Sequence, residues 1–360
     1  MRILYVINSL HMGGAEKLCV DLCKIAKQEK VDIDIYVLNN ADTNLKKDAI
    51  INNIKIYNCG TNRYKSFKHL IWLLKHKKEY DVIHSHLSYS QYYVALIRAF
   101  DKNINLVTTE HNTFNNRRKY KLFKIIERYV YNSYNKIIVI NNENLYYMKK
   151  WQKSIQEKII VIENGINIEK YINGNKDKIK DAILKDNDTK KILMVAAFRE
   201  QKNHELMIRA FSKLNKNERL ILVGSGSKSR IDEIKLIIKN LSIENRVFFL
   251  GERIDVEHIM KCCDVFVLPS KWEGFGLVVA EAMASDLPVV ASNVDGLREV
   301  VGDCGLLFEN NNVDDLVVNI KKILSMDNEK LKILKKRARN KCFNYSIDNT
   351  FKKYLELYKS

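Results

Sequence analysis

Short apolar runs alternate with amphipathic helical stretches along the whole chain. The first run covers residues 2–7 and is followed by a glycine turn and a helical stretch over 15–27. The same order returns at 191–196, where a polar turn leads into a helical stretch over 204–214. Further strands are predicted near 32–38, 54–57, 82–84, 104–108, 136–140, 159–162, 220–223, 247–250, 265–268 and 288–291. This alternation is typical of α/β proteins with mostly parallel, doubly wound sheets.

The length of 360 residues is long for one hydrophobic core and suits two domains of about 150 to 200 residues each. A turn signal at Asn164 and Gly165 is followed by a polar, irregular stretch over 166–190. We therefore predict a first domain over 1–166 and a second over 167–342. Two Rossmann-like domains that face each other across an intervening cleft are the natural arrangement.

Composition limits the compartment and the partners. No apolar run approaches the length of about eighteen residues that a membrane span requires, and the N-terminal run is too short for a signal peptide. Seven cysteines without a CxxC pair indicate reduced thiols. We expect a cytoplasmic protein, soluble or peripheral on a membrane. The net charge of +18 predicts attraction to polyanions or to an anionic bilayer.

The stretch over 264–305 combines a buried strand, a glycine loop and a helix. Pro269 ends the strand, and Gly274 and Gly276 leave room for a ligand to approach the backbone. Backbone amides at a helix N-terminus carry partial positive charge and favour an anion such as phosphate. The amides in this position belong to Phe275, Gly276 and Leu277. Two carboxylates, Glu273 and Glu281, flank the same predicted pocket and suit hydroxyl donors.

The segment PSKWEGFGLVVAEAMA, with seven residues between Glu273 and Glu281, resembles the signature of the retaining glycosyltransferases of family 4. The resemblance implies the GT-B fold and transfer of a hexose-type sugar from a nucleotide-diphosphate sugar. It assigns the ribose hydroxyls to Glu281, and the sugar hydroxyls and phosphate to Glu273 and the loop amides. It also implies that a last helix over about 343–360 packs back on the first domain. Asp286 departs from the glycine that is usual before Leu-Pro, and we expect the turn to survive because Asp tolerates a left-handed conformation.

Glycosyl transfer must stabilise the negative charge that develops on the departing diphosphate. Arg199 and Lys202 follow the first strand of the second domain, at the carboxyl end where open α/β sheets bind ligands. Their segment AAFREQKN resembles the arginine and lysine loop of the family, although Ala197 and Phe198 replace the commoner glycine-containing form. The DxD-like pairs are Asp32 with Asp34, on the polar face of a strand, and Asp186 with Asp188 in the linker. We expect no metal requirement and no cofactor.

Three further positions lie at predicted strand ends. The bare backbone of Gly13 and Gly14 matches the first-domain glycine loop of the family. His111 follows a strand, and the resemblance makes it a contact to the transferred sugar, whereas a lone histidine is more often structural. Gly224 begins a strand-to-helix turn that the resemblance places beside the nucleotide; the third glycine of a dinucleotide fingerprint is missing. His84 and His86 are interpreted mainly as scaffold.

Cations and large apolar residues mix in two stretches of the first domain, over 63–78 and 117–128. The apolar residues are Phe67, Leu70, Ile71, Trp72, Leu73, Leu74, Tyr120, Leu122, Phe123 and Ile125, and the cations include Lys65, Lys68, Lys75, Lys77, Arg117, Arg118, Lys119 and Lys121. They indicate docking on an anionic membrane, at the inner face of the plasma membrane. The alternative is that the apolar positions are the core faces of helices that cover a sheet.

The sequence favours a retaining, metal-independent hexosyltransferase that acts on a carbohydrate or lipid-linked acceptor. The resemblance is to bacterial enzymes of capsule, exopolysaccharide or lipopolysaccharide synthesis. One alternative is another GT-B nucleotide-sugar enzyme, such as an epimerase, and a more distant one is a non-catalytic protein that binds polyanions. The basic residues are spread along the chain without an aromatic RNA-binding motif, so we expect no nucleic-acid partner.

Overall fold

The structure, a computed structural model, describes residues 1–111, 118 and 120–360. Contacts divide these residues into two units, Met1–Gly165 with Ile347–Ser360, and Ile166–Ser346. The strands of the first unit are β1 (Arg2–Ile7), β2 (Asp32–Val37), β3 (Ile56–Tyr57), β4 (Val82–His86), β5 (Asn105–Glu110), β6 (Lys136–Val139) and β7 (Ile159–Val161). Those of the second unit are β8 (Lys190–Val195), β9 (Glu218–Val223), β10 (Val247–Gly251), β11 (Val265–Leu268), β12 (Val289–Ser292) and β13 (Leu306–Phe308).

Helices separate most of the strands. In the first unit they are α1 (Gly14–Gln28), α2 (Asn44–Ile51), α3 (Phe67–His76), α4 (Ser88–Ile97), α5 (Lys121–Asn132) and α6 (Asn142–Trp151). In the second unit they are α7 (Ile168–Ile172), α8 (Ala182–Lys185), α9 (His204–Ser212), α10 (Lys228–Asn240), α11 (Val256–Met260), α12 (Leu277–Ala284), α13 (Asp295–Val301), α14 (Val313–Leu324) and α15 (Asn328–Cys342). The last helix, α16 (Ile347–Lys359), belongs to the first unit.

Each unit is built on one parallel sheet. Within the described residues the first sheet has the strand order β3-β2-β1-β4-β5-β6-β7 and the second the order β10-β9-β8-β11-β12-β13. The order reverses beside β1 in the first sheet and beside β8 in the second, so each sheet has a topological switch point, where ligands of such sheets bind. The predicted fold class, two doubly wound α/β units of the GT-B kind, is confirmed. The short strand β13 and the helices α2 and α6 were not predicted.

Alternating side chains of the central strand β1 enter two different cores. Ile3, Tyr5 and Ile7 join the core that lies under α1 and α16, whereas Leu4 and Val6 join the core under α3, α4 and α5. A strand that is buried on both faces has no polar alternation, which explains the continuous apolar run in the sequence.

The expectation that the turn at Asp286 survives without the glycine usual at this position is confirmed. Its φ is 59°, in the left-handed region. The carboxylate also accepts a hydrogen bond from Nε of Arg339 at 2.7 Å. This partner on α15 gives the aspartate a contact that glycine could not make.

The stretch over 166–190, which was wrongly interpreted as an irregular linker, belongs to the second unit. It forms the short helices α7 and α8, and Tyr171, Ile179 and Leu184 are buried in the second unit. The sequence did not predict this packing, because the apolar residues in the stretch are few and the helices are too short to show a helical period.

Candidate active site

Three loops meet at the carboxyl edge of the second sheet. Because β9, β8 and β11 are neighbouring strands, the loops that follow them are neighbours too. Gly224, after β9, lies so close to β8 that an added Cβ would be 2.1 Å from the carbonyl oxygen of Ala196. Its φ of +146° also favours glycine. The predicted strand-to-helix turn at Gly224 therefore packs directly against the loop that carries the two candidate cations.

The loop after β8 does not need the glycine that the family pattern led us to expect. Neither Ala197 nor Phe198 has a positive φ. Phe198 is buried and stacks on the ring of His204, with ring centroids 4.2 Å apart. The aromatic stack holds the loop at the start of α9.

Lys202 and Glu273 form an ion pair across two of these loops. The same carboxylate accepts a hydrogen bond from the hydroxyl of Ser270 at 3.2 Å. The side chains of Lys202 and Glu273 are only 18% and 12% exposed, so the pair is shielded from water. The structure thus brings together two residues that the sequence separates by more than seventy positions, one with positive and one with negative charge.

Arg199 differs from Lys202. Its side chain is exposed, and it makes no side-chain hydrogen bond or ion pair within the part of the chain that the structure describes. It is placed in the same loop by the short 3₁₀ turn Glu200–Lys202, which begins directly after it. A guanidinium in this position is available to an anionic ligand without first breaking a contact.

Further contacts join the loops after β8 and β11. The amide of Lys271 donates to the carbonyl of Gln201 at 2.8 Å, and the side chain of Gln201 donates to the carbonyl of Trp272 at 2.9 Å. The hydroxyl of Ser292 donates to the carbonyl of Ser270 at 2.6 Å, which ties the second loop to β12. These contacts make the two loops a single scaffold, and no sequence pattern signals them.

The N-terminus of α12 has the form that the glycine loop predicted. Gly276 caps the helix with a φ of 79° and a ψ of 50°, which is left-handed. Within the described residues, the amides of Phe275, Gly276 and Leu277 donate to no other group. The ring of Phe275 is buried edge-on against Tyr345, at 5.2 Å between centroids. The backbone there is held in place, with donors open at a positive helix end that suits phosphate.

Gly296 is a positioning residue that the sequence reasoning missed. An added Cβ would lie 2.4 Å from the carbonyl oxygen of Glu273 and 2.7 Å from that of Gly274. The glycine lies in α13, and a glycine inside a helical pattern is itself a signal of close backbone approach. The loop that carries Glu273 therefore rests on the start of α13.

Glu281 is buried in α12, with 5% of its surface exposed. It lies one turn beyond the loop, deeper in the second unit than Glu273. The carboxylates are thus placed at different depths along one strand-loop-helix segment, as predicted.

The acidic pairs considered for metal binding have structural partners. The buried carboxylate of Asp34 accepts hydrogen bonds from Arg2 at 2.9 Å and from the hydroxyl of Tyr80 at 3.0 Å. The carboxylate of Asp186 accepts from the amide of Asp188 at 2.9 Å and from the hydroxyl of Thr189 at 2.8 Å. One carboxylate of each pair, that of Asp34 and that of Asp186, therefore helps to hold the fold.

In the first unit, Gly13, Gly14 and His111 lie at the carboxyl edge of the sheet. Gly13 caps α1 and Gly14 is its first residue. An added Cβ at Gly13 would meet only the flexible carboxylate of Glu16, so its backbone does not strictly require glycine. His111 follows β5 directly.

His111 is held by a second histidine. Its Nε2 lies 3.1 Å from Nδ1 of His86, at the end of β4. Burial lowers the pKa of His111 to about 4 and that of His86 well below its usual range, so both rings are neutral at neutral pH. His86 is fixed in turn by the edge-on ring of Tyr5 and by His84 at 4.1 Å between centroids. Only Nδ1 of His111 is left without a hydrogen-bond partner on that ring, counting the described residues alone.

Replacing His86 by phenylalanine should keep the ring packing and remove the partner that fixes the tautomer of His111. Loss of one such hydrogen bond to a buried group costs about 1 to 3 kcal/mol, so, if His111 must keep its orientation for transfer, turnover should fall by about fivefold to a hundredfold. Asparagine at the same position should recover part of the loss. The measurement is kcat and KM for each variant beside its melting temperature. An unchanged kcat in a folded phenylalanine variant would show that His111 needs no fixed orientation.

Comparisons with known proteins give a consistent family. The model of the family "Glycosyltransferase Family 4" matches residues 12–170, and that of "Glycosyl transferases group 1" matches residues 175–341. A UDP-Gal:alpha-D-GlcNAc-diphosphoundecaprenol alpha-1,3-galactosyltransferase of Escherichia coli is 26% identical, over 96% of this chain and 94% of that protein. An N-acetylgalactosamine-N,N'-diacetylbacillosaminyl-diphospho-undecaprenol 4-alpha-N-acetylgalactosaminyltransferase of Campylobacter jejuni is 28% identical, over 93% and 92%.

Solved structures share the fold. The Anabaena protein Alr3699/HepE, solved in complex with UDP and glucose, has a TM-score of 0.87 at 22% identity and covers 99% of both chains. WaaG, a glycosyltransferase involved in lipopolysaccharide biosynthesis, has a TM-score of 0.74 at 16% identity, again with 99% of both chains covered. At such low identity the likeness concerns the fold alone.

Proposed function

The chain belongs to the glycosyltransferases, its first half to family 4 and its second half to group 1, and we propose that it transfers a hexose-type sugar from a nucleotide-diphosphate sugar to an acceptor hydroxyl. The observation that carries this proposal is the arrangement at the carboxyl edge of the second sheet. There the shielded Lys202–Glu273 ion pair lies beside the N-terminus of α12, whose amides are open to a ligand. Arg199 in the same loop as Lys202 is exposed and has no side-chain partner among the described residues.

The site offers a separate group to each part of such a donor. The amides of Phe275 to Leu277 suit the diphosphate, and the buried carboxylate of Glu281 suits the ribose hydroxyls. Glu273 accepts a hydrogen bond from the ammonium of Lys202. When a donor binds, a sugar hydroxyl takes the place of Lys202 at this carboxylate, and the ammonium turns to the diphosphate.

The reaction proceeds with retention of configuration at the anomeric carbon. The bond from that carbon to the diphosphate oxygen breaks, and the acceptor oxygen bonds to the same face. The acceptor proton passes to the departing phosphate oxygen, and Arg199 and Lys202 stabilise the negative charge that develops there. The family resemblance assigns a hydroxyl of the transferred sugar to His111, whose Nδ1 has no hydrogen-bond partner among the described residues. It assigns the glycine loop of the first domain to Gly13 and Gly14, whose bare backbone leaves room for a ligand.

The acceptor is a carbohydrate on a lipid carrier, in cell-surface polysaccharide or glycolipid synthesis at the cytoplasmic face of the plasma membrane. Two relatives of nearly equal length have diphospho-undecaprenol acceptors in their names. No nucleic acid takes part.

Chelation of divalent metals should leave donor binding and transfer intact, because Arg199 and Lys202 supply the positive charge that the departing diphosphate needs. A screen of nucleotide sugars in chelator, read by thermal unfolding, identifies the donor. At about a hundred times its dissociation constant the donor should stabilise the protein by about 2.7 kcal/mol. Turnover of that donor is then measured with and without chelator. Activity that disappears in chelator and returns with magnesium or manganese rejects metal independence, and protection by no nucleotide sugar rejects the donor class.

A further inference from the structure

The helices α3, α4, α5 and α6 form one layer over a single face of the first sheet. Their inward side chains share one core, which includes Leu73 from α3, Val94 from α4, Val130 from α5 and Met148 from α6. The opposite face of the sheet is covered by α1 and α16. The outer surface of the α3–α6 layer is thus a defined side of the first unit.

This outer surface is unusually apolar. It carries more than half of the exposed large hydrophobic side chains found within residues 1–111, 118 and 120–360. They are Phe67, Ile71, Tyr89, Leu96, Phe100, Tyr120, Leu122, Ile125, Ile126, Tyr129, Tyr146 and Tyr147. The residues Phe67, Ile125 and Leu122 are 85%, 70% and 67% exposed. Apolar patches of this kind on a soluble unit mark interaction sites.

Helix α5 turns its apolar stripe away from the sheet. The exposed residues Leu122, Ile125, Ile126 and Tyr129 have the spacing of a single helix face. A helix that only covers a sheet buries such a stripe. Each of the two interpretations of the sequence therefore holds for some of the apolar residues. Leu73 lies in the core, whereas Phe67, Ile71 and the α5 stripe are exposed.

Buried polar contacts fix this orientation of α5. Glu127 points inward, where it accepts a hydrogen bond from Nε1 of Trp151 at 2.7 Å and lies 3.7 Å from Nε of Arg118. The hydroxyl of Tyr131 donates to the buried carboxylate of Glu110 at 2.8 Å. Rotating the apolar stripe inward would move these groups out of their contacts. The exposure of the stripe is a property of the fold.

Cations surround the stripe. Exposed lysines and arginines on α3, α5 and α6 form no ion pair with any acidic side chain in the described part of the chain. They are Lys68, Lys75, Lys124, Arg128, Lys149 and Lys150. Arg117 and Lys119, which the sequence analysis included, lie outside the described residues. A surface that joins exposed apolar side chains to unneutralised positive charge complements an anionic lipid bilayer.

We propose that the outer surface of the α3–α6 layer docks on an anionic lipid bilayer, with α5 lying in the interface. Within the described residues no helix is both long and apolar enough to cross a bilayer. Docking therefore rests on interfacial apolar contact and on charge. This inference deepens the proposed function, because it names the surface at which the protein meets a lipid-linked acceptor. It rests on that function for the identity of the acceptor, whereas the physical argument for docking is independent of it.

Co-sedimentation with phosphatidylglycerol vesicles and with phosphatidylcholine vesicles tests the proposal. The full chain should bind the first, bind the second weakly, and dissociate at high salt. Changing Lys68, Lys124 and Lys150 together to glutamine should lower the partition coefficient about a hundredfold, because each cation near an anionic surface contributes about a factor of five. The double variant Leu122→Ser and Ile125→Ser should lower it by about tenfold or more. These side chains are exposed, so the variants should fold.

Matched controls lie on the opposite face of the same unit. Lys352, Lys353 and Lys359 on α16 are exposed and change to glutamine with the same loss of charge, and Ile50 and Ile51 on α2 are exposed and change to serine. Both control variants should bind as the wild type does. Equal binding to both kinds of vesicle, or undiminished binding of the α5 variant, overturns the proposal. So does a dimer in solution that the α5 variant dissolves, because the stripe would then be covered by a second copy.

Transfer to a short water-soluble acceptor, measured on the same variants, separates the two proposals. The docking variants should turn over the soluble acceptor at the wild-type rate. Vesicle binding without any donor turnover would reject the transferase assignment and leave docking in place. Turnover without vesicle binding would reject docking alone.

Discussion

Replacing Arg199 by alanine is expected to lower kcat on the order of a hundredfold or more while changing donor affinity far less. The charge that this side chain meets grows as the sugar leaves the diphosphate, so the contact is strongest in the transition state. Loss of one such donor costs about 3 to 4 kcal/mol at comparable sites. Because Arg199 is exposed and makes no side-chain contact in the described structure, its removal should leave the folded protein otherwise intact.

Replacing Lys202 by alanine should lower kcat by a similar factor and should also lower the melting temperature. Its loss leaves Glu273, whose side chain is only 12% exposed, without its cationic partner, so the melting temperature should fall as well. Lys213 provides a matched control, since it follows the other end of α9 and pairs with Asp314 at the surface. Its alanine variant should retain full activity. Weaker donor binding with unchanged turnover would show that Arg199 and Lys202 only hold the ground state.

Alanine at Gly296 should lower kcat/KM about a hundredfold, although this residue supports the site from behind and is assigned no contact with the substrate. Its new methyl group would lie within 2.4 Å of the Glu273 carbonyl, where only a backbone shift can relieve the overlap. The loop that presents Glu273 and the α12 amides must then move. A displacement of about 1 Å at a site of this kind can cost about a hundredfold in rate.

The control for this substitution is Gly60→Ala, which adds a methyl group where no atom lies within 4 Å, at a φ of +77° that itself strains an alanine. It isolates the general cost of losing a glycine from the cost of moving the loop. Steady-state kinetics and thermal melting are measured on both variants. If Gly296→Ala melts as the wild type does and turns over donor at the wild-type rate, the rigid support of the loop by α13 is not needed for transfer.

Periodicity predicted most of the fold because both sheets are parallel and buried on both faces. Such strands are short continuous apolar runs, and β11 was bounded correctly from Val265 to Leu268. The three-residue strand β13 was missed, since a run of this length has no period to recognise. The packing of 166–190 into the second unit was missed for the same reason.

The sequence named candidate residues for the site but not the contacts that these residues make. The sequence placed Lys202 and Glu273 in loops that follow two predicted strands, and the structure adds that these strands are neighbours and that the two side chains pair. The sequence alone could not predict the support of the loop by Gly296 or the contact between His86 and His111, because both depend on which strands are neighbours in the sheet. The outward rotation of α5 was likewise left open, since a helical stripe has the same period whether it faces a core or a membrane.

The central claim is tested most directly by the anomeric configuration of the product. The donor found in the nucleotide-sugar screen is incubated in chelator with a lipid-linked or short soluble acceptor, and the new glycosidic centre is observed by proton NMR as it forms. We expect a glycoside with the same anomeric configuration as the donor sugar, at a rate that Arg199→Ala reduces on the order of a hundredfold. An inverted product, or conversion of the donor to an isomeric nucleotide sugar without transfer, would contradict the proposed reaction.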